Sequence, residues 1–182
     1  MASTYLQRTP VSSGSQRTYT ISFWYKRATS LGTDIIFSSG ASGQFNHAIY
    51  IASTYMIILM YDDAGSSTVG QLNTNRFFRD PNAWYHFVIA VDTTDATSSN
   101  RIKLYVNGVQ ETSFTTETYP SQNADIGINT SSYTLRWNAD VAGSASGGGV
   151  LAHAHFIDGT AYDASAFGET DSTTGIWKPI TA

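Results

Sequence analysis

The chain has 182 residues, a formal net charge of −4 and no cysteine. Charged residues make up 13% of it, against roughly 25% in an average globular protein, and its lysines and arginines are scattered. A nucleic-acid binder, which needs clustered cations to displace counterions, is thereby excluded, as are disulfides and thiolate metal sites as staples.

Period-2 patterns dominate in chain order. In residues 19–25, Tyr19, Ile21, Phe23 and Tyr25 are expected on one face of a strand. Residues 34–38 and 47–52 read as short strands, and 55–61 (YMIILMY) follows closely enough to form a hairpin with the latter. Residues 84–92 (WYHFVIAVD) are apolar almost throughout, which predicts a central strand covered on both faces. Residues 101–106 alternate and run into Asn107-Gly108, a type I′ hairpin signal in which both turn positions need positive φ. Residues 109–114 are the expected return strand. Residues 133–138 and 150–157 predict two more strands, separated by a glycine- and serine-rich loop at 142–149. The one helical piece expected is a turn near 163–169, capped by Asp163. Asp62-Asp63-Ala64-Gly65 reads as a turn after a strand.

Many short strands and almost no helix predict an all-β sandwich or barrel. The chain shows no internal repeat or linker, so one domain over 1–182 is expected. A core of this size needs no staple, since a chain of roughly 150 residues buries about 70% of its unfolded surface. The first eight residues carry no apolar signal-peptide core, and no run approaches the roughly 20 apolar residues of a membrane helix. Synthesis in the cytoplasm, with neither membrane nor nucleic acid as partner, is the expectation. The surface must be built from Ser, Thr, Asn, Gln and Gly, a neutral skin that suits burial in an assembly and also suits neutral sugars.

Several blocks carry a resemblance. TYTISFWYKR (18–27), IIFSSG (35–40), RDPNAWYHFVIAVDTT (79–94) and NRIKLYVNGVQ (100–110), in that order, are similar to the laminin G-like branch of the concanavalin A-like lectin/glucanase superfamily. The tail LAHAHFIDGTAYDASAFGETDSTTGIWKP (151–179) resembles a C-terminal signature of laminin G-like proteins of tailed bacteriophages. The resemblance implies a concanavalin A-like antiparallel β-sandwich (jelly roll). It further implies a non-enzymatic virion structural protein at the virion surface, either a capsid decoration or cement protein or a tail-fibre component. Its expected partners are other virion proteins of capsid or tail and further copies of itself, a trimer being the form to look for. The other reading is a lectin or adhesin for host surface polysaccharide, because the fold alone does not fix function.

Retaining glucanases of the superfamily place two carboxylates about 5 Å apart on a Glu-x-Asp-x-x-Glu strand. This chain has three glutamates, Glu111, Glu117 and Glu169. Glu169-Thr170-Asp171 begins such a pattern, but Thr173 and Thr174 stand where the last Glu should be. No Gly-x-Ser-x-Gly elbow is present. No catalytic residue is expected. For a glycan, Trp137 with Tyr133, Asn138 and Asp140 is the aromatic and polar cluster to test; Tyr5 and Tyr55 are further rings with an exposed role. Ca²⁺ is the one cofactor the family suggests, at Asp62, Asp63, Asp92 and Asp95, with Asp125 and Asn129 as further candidates; six to eight oxygens would be required. His153 and His155, two apart on a strand, could share a metal with Asp140 or Asp158.

Overall fold

The computed structural model describes residues 4–28, 32–41, 44–144 and 148–180. The strands are β1 (Leu6–Arg8), β2 (Thr18–Lys26), β3 (Thr33–Ala41), β4 (Gln44–Ala52), β5 (Tyr55–Tyr61), β6 (Thr68–Phe77), β7 (Trp84–Asp92), β8 (Ile102–Val106), β9 (Val109–Glu111), β10 (Phe114–Thr118), β11 (Thr134–Trp137), β12 (Val150–Asp158), β13 (Gly168–Thr170) and β14 (Trp177–Pro179). A seven-stranded antiparallel sheet runs β1-β11-β3-β4-β5-β6-β10, a five-stranded one runs β12-β2-β7-β8-β9, and β13-β14 is a separate hairpin. The fold is the expected all-β sandwich. Of the loop at 142–149, residues 145–147 lie outside the described residues. No helix among the described residues is long and apolar enough to cross a membrane.

The period-2 reading of β2 holds. Tyr19, Ile21, Phe23 and Tyr25 are all at most 1% exposed and belong to the core between the sheets. β4 and β5 contribute Ile49, Ile51, Met56, Ile58 and Met60 from the facing sheet. β7 lies between β2 and β8, in the central position that its apolar run predicts.

The outward face of β2 is buried too, at Thr20, Ser22 and Trp24. Its cover is the C-terminal segment. Thr20 Oγ1 donates to the Thr160 carbonyl at 2.7 Å and accepts from the Tyr162 N–H at 2.7 Å. Trp177 Nε1–H donates to His86 Nδ1 at 2.9 Å. An accepting Nδ1 on a neutral ring leaves the proton on Nε2, which donates to Ser22 Oγ at 3.0 Å. Burial, and then the neighbouring His155 and His153, push the His86 pKa down to about 4, in agreement with that neutral ring. Asp163 caps the short 3-10 turn Ala164–Ala166, as expected, by accepting from the Ser165 N–H.

The β8–β9 turn has φ 48° at Asn107 and 83° at Gly108, the two positive angles of a type I′ turn. Trp177 lies directly over it: a Cβ on Gly108 would come within 2.6 Å of the indole ring. Gly108→Ala is therefore expected to combine a left-handed backbone penalty with overpacking, about 2–4 kcal/mol together. Urea unfolding measures it, and a loss below about 0.5 kcal/mol would mean the C-terminal hairpin is not held by this contact.

The return strand expected over 109–114 is instead two strands in different sheets. β9 pairs with β8, and β10 pairs with β6 across the sandwich. The crossing at Thr112 and Ser113 is pinned by Glu111, whose Oε2 lies 2.8 Å from Arg76 Nε on β6 and whose Oε1 accepts from the Ser113 N–H at 3.3 Å.

Candidate functional site

β11 stands between β1 and β3 at the open edge of the larger sheet. Period-2 alternation turns Leu135 and Trp137 inward. Trp137 meets Phe37 edge-on at 5.0 Å and Phe23 at 5.8 Å, so most of its ring is core and only part of it reaches a cavity.

That cavity, of about 380 Å³, opens where β1 and β11 of one sheet stand beside β12 of the other. Phe37, Leu135, Trp137 and Phe156 form its apolar side; Phe37 and Phe156 are stacked, with planes 7° apart. Asn129 and Asp158 line the polar side together with Gln7, Arg8 and the serines at 12 and 13. Asp158 Oδ1 accepts from Asn129 Nδ2 at 2.9 Å and from the Ser15 N–H at 2.8 Å. The Gly14 N–H donates to the Asn129 carbonyl at 2.9 Å. A Cβ on Gly14 would fall 2.2 Å from Asn129 Nδ2 and 2.3 Å from Asp158 Oδ2, so only glycine lets the N-terminal arm close this tightly on the pair. The arrangement can present an apolar ring face to one side of a small polar molecule and hydrogen-bonding groups to its edge.

The other residues expected around Trp137 do not line this cavity. The Tyr133 hydroxyl donates to the Asp63 carbonyl. Asn138 adopts φ 61°, and its Nδ2 donates to the Thr4 carbonyl at 2.9 Å. Asp140 Oδ1 caps a turn by accepting from the Ala142 and Ser144 N–H groups, both at 2.9 Å. Strand alternation sends Trp137 inward, while Tyr133, Asn138 and Asp140 fasten turns and the N-terminal arm. The residues that the structure brings beside Trp137 in this cavity include Asn129, Asp158 and Gly14. In the sequence both Asp158 and Asn129 stand out only as cation candidates.

The carboxylates considered for Ca²⁺ are engaged within the protein, three as turn caps, one by a side-chain amide and one by an arginine. Asp62 accepts from the Ser66 N–H at 2.7 Å and the Ser66 hydroxyl at 2.9 Å; these bonds, the backbone one foremost, hold its pKa below the usual carboxylate value. Asp63 accepts from Gln16 Nε2 at 2.8 Å. Asp92 caps Thr94 N–H at 3.0 Å, and Asp95 caps Thr97 N–H at 2.7 Å. Asp125 is paired with Arg17 at 2.6 Å. Among the described residues no group of three or more His, Cys, Asp or Glu is placed to hold a metal ion, His153 and His155 included.

No curated protein matches the chain. Solved structures show similarity at the level of fold. The binding domain of botulinum neurotoxin DC in complex with rat synaptotagmin II is 18% identical with a TM-score of 0.52, over 83% of this chain and 34% of that one. The structure of botulinum neurotoxin type C, which depends on interaction with two ganglioside molecules to enter cells, is 17% identical with a TM-score of 0.52, over 82% and 34%. The serotype G binding domain is 16% identical with a TM-score of 0.52, over 86% and 36%. The chain thus spans about a third of the length of the neurotoxin chains it matches. A laminin G family model, described as concanavalin A-like lectin/glucanases superfamily, matches residues 2–145. β12, beyond that match, completes the five-stranded sheet by pairing with β2. With the sandwich topology and the matched residues in agreement, the chain belongs to the concanavalin A-like lectin/glucanases superfamily.

Proposed function

We propose that the chain is a non-catalytic binding module on the surface of a bacteriophage virion, attached to capsid or tail as a decoration, cement or fibre component. The observation that carries this reading is the C-terminal segment. Residues 151–179 resemble the tail of laminin G-like phage proteins, and that segment supplies β12 and the cover over Thr20, Ser22 and His86. A polar surface with few charges supports docking, because little charge has to be desolvated. Repeated sites on a shell let weak contacts add. The partners would be capsid or tail proteins and further copies of the chain.

A second reading, a lectin or adhesin for host surface polysaccharide, is favoured by the cavity beside Trp137, with its ring face and its Asn129–Asp158 pair. The two readings are compatible. Neither needs catalysis: Asp158 is the one carboxylate among the described residues lining that cavity, whereas glycoside hydrolysis uses two.

Quantitative pull-down of the purified chain on empty phage capsids, with a glycan array beside it, tests both. Saturable capsid binding at a fixed copy number is the expected result. A glycan signal that falls about tenfold in Asp158→Asn, at an unchanged unfolding temperature, would support the lectin reading. Glycan binding without capsid binding would overturn virion attachment, and silence in both assays would retire the two readings together.

A further inference from the structure

Three of the four tryptophans meet on the outer face of the five-stranded sheet. Trp24, Trp84 and Trp177 line a groove of about 300 Å³ with His153, Lys178 and Pro179. We infer that this groove is a second carbohydrate site, distinct from the cavity beside Trp137, and that its ligand is a neutral oligosaccharide segment.

The rings are fixed before any ligand arrives. Trp24 stacks on His86 at 4.9 Å with planes 17° apart. Trp177 is hydrogen-bonded to the same imidazole and sits in close approach to Gly108 and Gly168, where any Cβ would come within 2.6 Å of it. Such preorganisation removes much of the ordering cost of binding. Trp84, in contrast, is 40% exposed at the lip of the groove. Trp177 is the one tryptophan whose indole N–H finds an acceptor among the described residues, which leaves the Trp24 and Trp84 N–H groups for a ligand oxygen.

The backbone is bent toward the same place. A bulge interrupts β12 between Ala152 and His155, and within it His153 adopts φ 46°, a left-handed angle that is costly for a residue with a Cβ. Bulges re-aim side chains, and here the re-aimed imidazole lines the groove.

The charge balance selects the ligand. Among the described residues, Lys178 is the only lysine, arginine or carboxylate lining the groove, and its ammonium is taken by Asp171 at 3.0 Å and Glu169 at 3.4 Å. Among the described residues that line the groove, no unpaired lysine or arginine is left to recognise an acidic sugar or a phosphate. A pyranose offers apolar C–H faces to flat rings and hydroxyls to N–H groups and to imidazole, which is the set of partners present.

The test is titration of the full chain with short neutral oligosaccharides of glucose, mannose and galactose, followed by tryptophan fluorescence and calorimetry. At least one series is expected to bind and perturb the fluorescence. Trp84→Ala, at an exposed position, is expected to weaken it by about tenfold or more. His153→Gly, which accepts the left-handed angle freely, is expected to fold at least as stably and to bind more weakly. Binding that falls in Asp158→Asn but not in Trp84→Ala would put the ligand in the cavity rather than the groove and would overturn the assignment. No binding by any neutral series would overturn the assignment, as would binding indifferent to Trp84→Ala. Equally, a dimer in sedimentation that Trp84→Ala dissolves would make the groove a contact between copies instead.

Discussion

Asp34→Ala is expected to destabilise the sandwich by about 3–5 kcal/mol, the usual consequence of stripping one partner from a buried ion pair. The Arg27 side chain is 0% exposed and that of Asp34 is 5% exposed, with Nε and Oδ2 2.9 Å apart. The guanidinium is also spent on backbone: it donates to the carbonyls of Gly32 at 3.0 Å, Phe78 at 3.1 Å, and Ser53. One cation thus joins the ends of β2 and β3, the β4–β5 turn and the segment after β6. Without Asp34 it stays where the carbonyls hold it, buried and uncompensated. For a chain of this size the loss corresponds to a fall in unfolding temperature on the order of 10 °C, measurable by scanning calorimetry. Removing both charges does not restore stability as it would for an isolated pair, because Arg27→Leu with Asp34→Leu orphans three carbonyls. A single-variant loss below about 1 kcal/mol would show that water reaches the guanidinium and that the pair is not buried in solution.

How far the sequence is legible follows from what each element depends on. Patterns that depend on near neighbours read correctly: the inward row Tyr19, Ile21, Phe23 and Tyr25, the Asn107-Gly108 turn and the Asp163 cap all follow from local geometry. β6 is hard to see because Gly70 and Thr74 stand at inward positions, and its outward Gln71 and Asn73 bond to each other at 3.0 Å. The switch of sheet after Glu111 depends on Arg76, a residue far away in sequence. The cavity is harder still. Its polar side joins Gly14, Asn129 and Asp158 from three distant segments, whereas Tyr133, Asn138 and Asp140 are near Trp137 only along the chain. The tryptophan groove depends on register: β2 and β7 pair Trp24 with His86 and Lys26 with Trp84, and a bulge in β12 then brings in His153. No local pattern encodes a bulge at an alternating stretch such as LAHAH.

Acidification is expected to weaken the fold well above the carboxylate range, and His47 is the main cause. Its ring is fully buried on β4, edge-on to Tyr19 and Phe37, each at 5.9 Å. Both ring nitrogens lack a hydrogen-bond partner among the described residues. Burial alone pushes its pKa from 6.5 down to about 3. Below pH 6.5 the unfolded chain therefore takes up a proton that the native core refuses, so native stability is full above that pH and declines as pH falls toward 3. At about 1.4 kcal/mol per pH unit, the loss from this one group reaches about 3 kcal/mol by pH 4.5. His86, pushed down to about 4, adds to the same slope. The carboxylates held low, Asp62, Asp125, Asp163 and Asp171, act in a different window: their contribution is present above the unfolded carboxylate pKa and is lost only below it. Between pH 6.5 and 5 the gradient is set mainly by the histidines held low, His47 and His86 with a smaller part from the partly buried His155. Urea unfolding at pH 7.5, 5.5 and 4.5 is expected to show a clearly shallower decline in His47→Leu than in the parent chain. Leucine also removes two unpaired nitrogens from the core, so the variant should match or exceed the parent at pH 7.5. Parallel pH profiles in the two proteins would mean that the native core accepts a proton at His47, and with it a solvated path between the sheets.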